Sequence, residues 1–281
     1  MFLLIDAGNT RIKLGWVRPE TGEREAAPVA LALDDGKGLA EFLGRLPAKP
    51  SKVLGVNVAG ERVVQALTQA LDSVFGTVGT VQWLASTEQA LGVHNAYRPV
   101  GQLGTDRWMA MVGLAHRERL AGAALAGNRG CAVLATFGTA TTVDTLRQES
   151  EGPRATFTFL GGLIFPGPEL MRVSLAQGTA NLPQAQGEAA LYPTHTHQAI
   201  VTGIAAAQAG AVMRQWQAGL DTDRRPPTLY VGGGGWPAVK DELERLYAAT
   251  RQHMGLEPAP VHWLAAPVLD GLACFARPVL L

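Results

Sequence analysis

Short apolar runs, broken by glycine- and threonine-containing turns, set the pattern of this chain. Phe2-Leu3-Leu4-Ile5 runs into Asp6-Ala7-Gly8-Asn9-Thr10, and Arg11-Ile12-Lys13-Leu14-Gly15-Trp16-Val17 follows. This predicts a β-hairpin over 2–17: a strand, a tight polar turn and a second strand. A polar connection containing Pro and Gly over 18–38 leads to a helix near 38–46, a strand at Val53–Val58, a helix over 60–72 and a strand at Thr80–Leu84. After Gly92 an irregular stretch runs from Val93 to Thr105. A helix then starts at about Asp106 and continues to Leu120, with Trp108, Met111, Val112, Ala115 and Arg119 recurring at helical spacing. Alternating strands and helices of this kind predict an α/β fold.

Near residue 130 the pattern starts again. Cys131-Ala132-Val133-Leu134-Ala135-Thr136 reads as a buried strand, Phe137-Gly138-Thr139-Ala140 as a turn, and the β-branched run Thr141-Thr142-Val143-Asp144-Thr145-Leu146 as a returning strand. Two such hairpins, one opening each half, predict a duplicated architecture with a cleft between an N-terminal lobe, 1–122, and a C-terminal lobe, 123–281. Ligands commonly bind at junctions of that kind. A third turn, Gly232-Gly233-Gly234-Gly235, follows a strand at Thr228–Val231 and precedes a helix from about Trp236 to Thr250. The most loop-like region is Leu182–Thr196.

Composition narrows the class. With 281 residues, 47% of them hydrophobic and 17% charged, a sizeable core is easy to build. Lys+Arg and Asp+Glu are equal at 24 each, which disfavours nucleic-acid binding. Cys131 and Cys274 lie far apart in apolar surroundings and read as reduced, buried thiols. There is no basic stretch followed by an apolar run and a cleavage site, and no long uninterrupted apolar stretch. The expectation is a cytoplasmic protein without a membrane span.

The first hairpin gathers the groups that hold a polyphosphate and its magnesium ion. Gly8 lets backbone approach a ligand, and successive turn N–H groups form an anion-binding concavity. Thr10 adds a hydroxyl and Lys13 a point charge. Asp6 can hold magnesium directly or through water. Taken alone, the segment reads equally well as an ordinary hairpin with Asx-type turn chemistry. The second hairpin supplies small residues, N–H groups and the hydroxyls of Thr139, Thr141 and Thr142, which suit phosphate oxygens; on its own it is a β-turn flanked by strand-forming threonines. The tetraglycine could form a flat wall for adenine or ribose, or a helix entry with unusual dihedrals. Asp106 sits where a helix begins, a common structural place for Asp. Its functional reading is a base that takes a proton from a substrate hydroxyl, with Arg107 offering a planar fork to a polar substrate group. His195 and His197 have no third ligand nearby and read as part of a solvated loop. Most of the six tryptophans read as core.

In combination and order, these motifs resemble the type III pantothenate kinases, also called the Bvg accessory factor family, of the acetate and sugar kinase/Hsp70/actin superfamily. The resemblance runs along Asp6-Ala7-Gly8-Asn9-Thr10-Arg11-Ile12-Lys13, Tyr97, Leu103-Gly104-Thr105-Asp106-Arg107-Trp108, Phe137 to Asp144, Gly161 to Gly167, Thr179 to Pro183 and Asp270-Gly271-Leu272. It implies a duplicated ribonuclease H-like (actin-like ATPase) fold of two lobes with a central cleft. It also implies phosphorylation of pantothenate by ATP, the first step of coenzyme A synthesis. By carry-over, Asp6, Ala7, Gly8, Asn9, Thr10, Arg11, Ile12 and Lys13 hold the phosphates, and Asp6 the magnesium ion. Gly138 and Thr139 contact ATP from the second hairpin. Tyr97, Gly104, Thr105, Asp106 and Arg107 line the pantothenate pocket, Asp106 being the proton acceptor. Thr179 matches a position that touches pantothenate across a dimer interface. The family is homodimeric and uses a monovalent cation, potassium or ammonium.

One position departs from the family pattern. An aspartate that helps hold the monovalent cation commonly stands two residues before the Gly-Thr-Ala-Thr-Thr run, and here that residue is Thr136. A neutral hydroxyl cannot supply a carboxylate's charge to a hard cation, so weakened or absent cation dependence is expected. The rival readings are a superfamily kinase for another small hydroxy or carboxylic acid or a sugar, a catalytically silent nucleotide-binding regulator, and a dinucleotide-dependent oxidoreductase. The last rests only on glycines 232–235, which lack the Gly-x-Gly-x-x-Gly arrangement.

Overall fold

The computed structural model describes residues 1–76, 81–122, 130–152 and 154–276. The chain divides into two compact units, one built from 1–128, 149–159 and 265–281, the other from 129–148 and 160–264.

In the first unit, β1 (Phe2–Ala7) and β2 (Arg11–Val17) form the expected hairpin, in register from Phe2↔Val17 to Ala7↔Ile12. The connection read as irregular contains a further strand, β3 (Val29–Ala32), because alternating Val29 and Leu31 let it pair antiparallel with β2. α1 (Gly36–Gly44) begins at Asp35, whose carboxylate accepts a hydrogen bond from the Gly38 N–H at 2.8 Å. β4 (Lys52–Asn57) runs parallel to β1, and α2 (Glu61–Phe75) turns Leu67 and Leu71 inward, one helical turn apart. β5 (Gln82–Trp83) completes a sheet of order β3-β2-β1-β4-β5. Thr80, expected in that strand, lies outside the described residues. Leu3, Ile5, Ile12, Leu14, Leu43, Val53, Leu67 and Leu71 form the core under this sheet. The stretch Val93–Thr105 is not wholly irregular. β6 (Gln89–Ala90) and β7 (Val93–Asn95) pair antiparallel, and a 3₁₀ turn spans Val100–Gln102 before α3 (Thr105–Gly122).

The second unit repeats the plan. β8 (Cys131–Phe137) and β9 (Ala140–Gln148) form the second hairpin, and β10 (Phe157–Pro166) lies beside β9. The first residues of β10, Phe157–Phe159, belong to the first unit and pair parallel with β7. α4 (Pro168–Gly178) and α5 (Thr196–Asp223) follow, then β11 (Thr228–Gly232), which runs parallel to β8. The helix read from Trp236 to Thr250 is two elements, a 3₁₀ turn at Trp236–Ala238 and α6 (Lys240–His253). β12 (His262–Leu264) pairs parallel with β11. The strand order β10-β9-β8-β11-β12 matches β3-β2-β1-β4-β5, counting each from its own first strand. In both, the first and second strands are antiparallel and the first and fourth parallel. The fold is thus mixed α/β and duplicated, as the two hairpins implied.

The last helix, α7 (Pro267–Ala276), returns to the first unit and lies against α3. A Cβ on Gly271 would sit 1.9 Å from the Met109 carbonyl oxygen, and one on Gly113 2.7 Å from the Gly271 nitrogen, so the two backbones touch. Arg24 ties the helix down, its guanidinium bonded to both Asp270 and Glu25. Two sequence expectations need correction. Cys131 is buried but Cys274 only half-buried. Of the tryptophans only Trp108 and Trp216 are fully buried, while Trp263 is exposed, since a three-residue strand at a sheet edge covers little.

Candidate active site

The site in the first unit is built on the tip of the β1–β2 hairpin and the start of α3. Asp6 is the penultimate residue of β1 and faces Lys13 across the register. Its side chain is almost fully buried, with Lys13 Nζ 4.0 Å from its Oδ2. Burial raises the Asp6 pKa from 3.8 to about 6. Lys13 pulls it back down and the charge of Asp106 pushes it further up. Gly8, Asn9, Thr10 and Arg11 form the open tip, closed by the Gly8 N–H donating to the Arg11 carbonyl at 3.1 Å. Among residues 6–13, Ala7 and Ile12 turn their side chains into the core, so they can offer a ligand only backbone.

Gly104 precedes α3 because a Cβ there would lie 2.6 Å from Asp106 Oδ1. Asp106 is in the first turn of α3, and its Oδ1 accepts the Arg107 N–H at 2.8 Å. The free N–H groups and positive end of the helix favour a carboxylate there. The Thr105 hydroxyl is buried with no hydrogen-bond partner among the described residues. Arg107 is buried, with its guanidinium carbon 5.7 Å from the Tyr97 ring centroid and 5.9 Å from that of Phe159. The two rings are parallel within 5°, centroids 6.2 Å apart. Tyr97 is set by buried Asn95, whose Oδ1 accepts the Tyr97 N–H at 2.9 Å. Tyr97, Gly104, Thr105, Asp106 and Arg107 thus lie in one unit with Asp6 and Lys13, and the charge of Asp106 reaches Asp6.

A magnesium ion suits this chemistry. Two carboxylates that repel each other, one of them ionised at a burial cost, are relieved by a cation. Among the described residues no group of three or more His, Cys, Asp or Glu could hold a metal. Phosphate oxygens and water would therefore complete the shell, as is usual for magnesium.

The second hairpin is braced by glycines. The Gly138 N–H donates to the Ala140 carbonyl at 3.1 Å, and the Gly167 N–H to the Thr139 carbonyl at 2.9 Å. A Cβ on Gly167 would lie 2.0 Å from the Gly138 oxygen. Gly138 and Thr139 are exposed. Thr141 is not available to a ligand, because its hydroxyl is buried and donates to Gln208 at 2.7 Å. In the tetraglycine, Gly233 (φ +91°) and Gly235 pack on Phe137 and only Gly234 borders open space. Thr136 is half-buried and pairs with Thr142 and Gly232 within the sheet. Thr179 ends α4, exposed, donating its hydroxyl to the Leu175 carbonyl at 2.8 Å. His195 caps α5 by accepting the Gln198 N–H, and His197 accepts the Gln186 N–H, so both serve local structure. Phe159, Asn95 and Gln208 were not singled out from sequence. Phe159 and Asn95 sit in strands of ordinary composition, and Gln208 stands among alanines, so nothing in the chain marked them.

Known proteins of similar sequence identify the family. Residues 2–218 match the family described as type III pantothenate kinase. The type III pantothenate kinase of Bordetella bronchiseptica is 47% identical over 279 residues, covering 98% of this chain and 97% of that protein. That of Aromatoleum aromaticum is 39% identical over 217 residues, covering 77% and 80%. Among solved structures, an archaeal actin homologue aligns with 98% of each chain at a TM-score of 0.48 and 12% identity. The chain belongs to the type III pantothenate kinase family. It is an enzyme of the phosphotransferase class. No helix among the described residues is long and apolar enough to cross a membrane.

Proposed function

We propose that this protein transfers the γ-phosphoryl group of ATP to the primary hydroxyl of pantothenate, the first step of coenzyme A synthesis, in the cytoplasm. The observation that carries the reading is the family match over residues 2–218, with the buried Asp6 beside Lys13 in the first hairpin and Asp106 in the first turn of α3 in the same unit. A metal-holding carboxylate and a proton-accepting carboxylate are the roles we assign to Asp6 and Asp106.

Phosphoryl transfer needs positioning and charge stabilisation more than covalent chemistry. The N–H groups of Asn9, Thr10 and Arg11 and the Lys13 ammonium would hold phosphate oxygens, and Asp6 would hold magnesium directly or through water. Magnesium, when bound, offsets the negative charge on the phosphate oxygens. Gly138 and Thr139 of the second hairpin are, by the family resemblance, nucleotide-contacting residues. Asp106 Oδ1 is occupied by the Arg107 N–H, which leaves Oδ2 to take the proton of the attacking hydroxyl. The aromatic pair Tyr97–Phe159 packs beside the Arg107 guanidinium, whose planar fork would pair with the pantothenate carboxylate. Thr105 lies between Gly104 and Asp106 in the segment we assign to the pantothenate pocket.

The functional enzyme is a homodimer. An apolar groove of about 770 Å³ between α4 and α5, lined by Met171, Leu175, Leu182, Ile200 and Ile204, is where a second copy would seat, and Thr179 at the end of α4 would then reach the partner's pantothenate. Thr136 brings no charge to a monovalent cation, so potassium or ammonium is not required at that position.

The test is a coupled ADP assay with ATP and magnesium against a panel of acceptors: pantothenate, short hydroxy acids, acetate and hexoses. Turnover with pantothenate alone supports the reading, and preference for a sugar or a simple acid overturns it.

A further inference from the structure

The second hairpin owes its shape to a side chain outside it. Gln208 projects from α5 and is fully buried. Its Oε1 accepts the Thr141 hydroxyl at 2.7 Å, and its Nε2 donates to the Pro166 carbonyl at 2.9 Å and reaches Met171 Sδ at 3.4 Å. The orientation of the amide is fixed by chemistry, since a carbonyl oxygen must face a donor and the NH₂ an acceptor. Thr141 lies two residues after Thr139, on the outgoing strand. Pro166 precedes Gly167, whose N–H holds the Thr139 carbonyl and whose missing Cβ lets the Gly138 carbonyl approach. One amide therefore fixes both flanks of the loop tip.

We infer that Gln208 is a positioning residue for nucleotide binding, holding Gly138 and Thr139 in the geometry that receives ATP. The inference rests on the reading that these two residues contact ATP. No other side chain of similar size does the same work: an apolar residue leaves the Thr141 hydroxyl and the Pro166 carbonyl buried without partners. A carboxylate keeps the first bond but sets a negative oxygen against the Pro166 carbonyl.

That second case gives the test. In Gln208→Glu the ionised side chain repels Pro166, whereas the protonated form donates an O–H to it and restores the native pattern. Steady-state constants are measured for this variant and the wild type across a pH series, and the ratio of variant to wild type is taken at each pH so that shared titrations cancel. The expected result is a KM for ATP raised about tenfold at high pH, from the loss of a buried hydrogen bond, converging on wild type as pH falls, with the KM for pantothenate little changed. A ratio near one at every pH, or kcat and both KM values changing together without pH dependence, overturns the inference.

If that variant does not fold, Thr141→Val and Thr141→Ser replace it. Val should raise the KM for ATP and Ser should restore it, and equal constants for the two would overturn the inference. Thr139→Ala separates this question from the underlying reading. If it leaves the KM for ATP unchanged, the Thr139 hydroxyl is not a nucleotide contact. If it raises the KM while Gln208→Glu does not, only the positioning role fails.

Discussion

Replacing Asp6 by asparagine should make the metal-free protein more stable while abolishing its activity. The Asp6 carboxyl is nearly inaccessible, and its pKa is raised from 3.8 to about 6, mainly by burial. A shift of that size corresponds to about 3 kcal/mol between the ionised and neutral forms. The sign follows from linkage. The folded state binds the proton more tightly than the unfolded chain, so its stability is full below the unfolded pKa and is lost as pH rises through about 6. Asparagine has no charge to bury and escapes that loss. In urea unfolding with a chelator present, Asp6→Asn should exceed wild type by up to about 3 kcal/mol near pH 7.5, falling below about 2 kcal/mol near pH 5. Excess magnesium and ATP should narrow the gap, because only the wild-type carboxylate gains from the cation. A variant less stable than wild type at neutral pH, or an advantage that does not shrink on acidification, would refute the argument that Asp6 is held charged at a cost for the sake of a ligand.

Other consequences can be checked separately. Arg107→Lys keeps the charge but loses the planar fork lying over Tyr97 and Phe159, so the KM for pantothenate should rise about tenfold with the KM for ATP unchanged. Gly271→Ala forces a methyl to within 1.9 Å of the Met109 carbonyl and should destabilise the α3–α7 contact by roughly 2–4 kcal/mol in denaturant titration. Activity in sodium-only buffer should equal that in potassium or ammonium, because Thr136 supplies no carboxylate; strong activation by potassium would count against this.

The hairpins were legible because each is a local device. An apolar strand, a glycine-containing turn and a returning β-branched strand declare themselves within about fifteen residues, and their repetition gave the duplicated plan. Asp6, Lys13, Asp106 and Arg107 stood out because charged groups beside strand ends and helix starts are chemically conspicuous. What the chain hid depends on contacts distant in sequence. α7 sits against α3 through Gly113 and Gly271, about 160 residues apart, and the apolar pattern of α7 does not name its partner. α5 has small residues on most faces and hence no clear stripe, so a helix of 28 residues passed unread. The role of Gln208 needs Thr141 and Pro166 brought beside it, which only the folded sheet does. The reading of Thr141 as a phosphate-facing hydroxyl failed for the same reason: strand alternation points it inward, toward α5.

The most direct test of the central claim compares wild type and Asp106→Asn in pantothenate phosphorylation, with ATP affinity measured in parallel by calorimetry. Loss of turnover by roughly 10²–10⁴ with ATP affinity retained is the predicted result. Turnover equal to wild type would remove Asp106 from proton transfer, and with it the account of a hairpin carboxylate and a helix-start carboxylate working as one site.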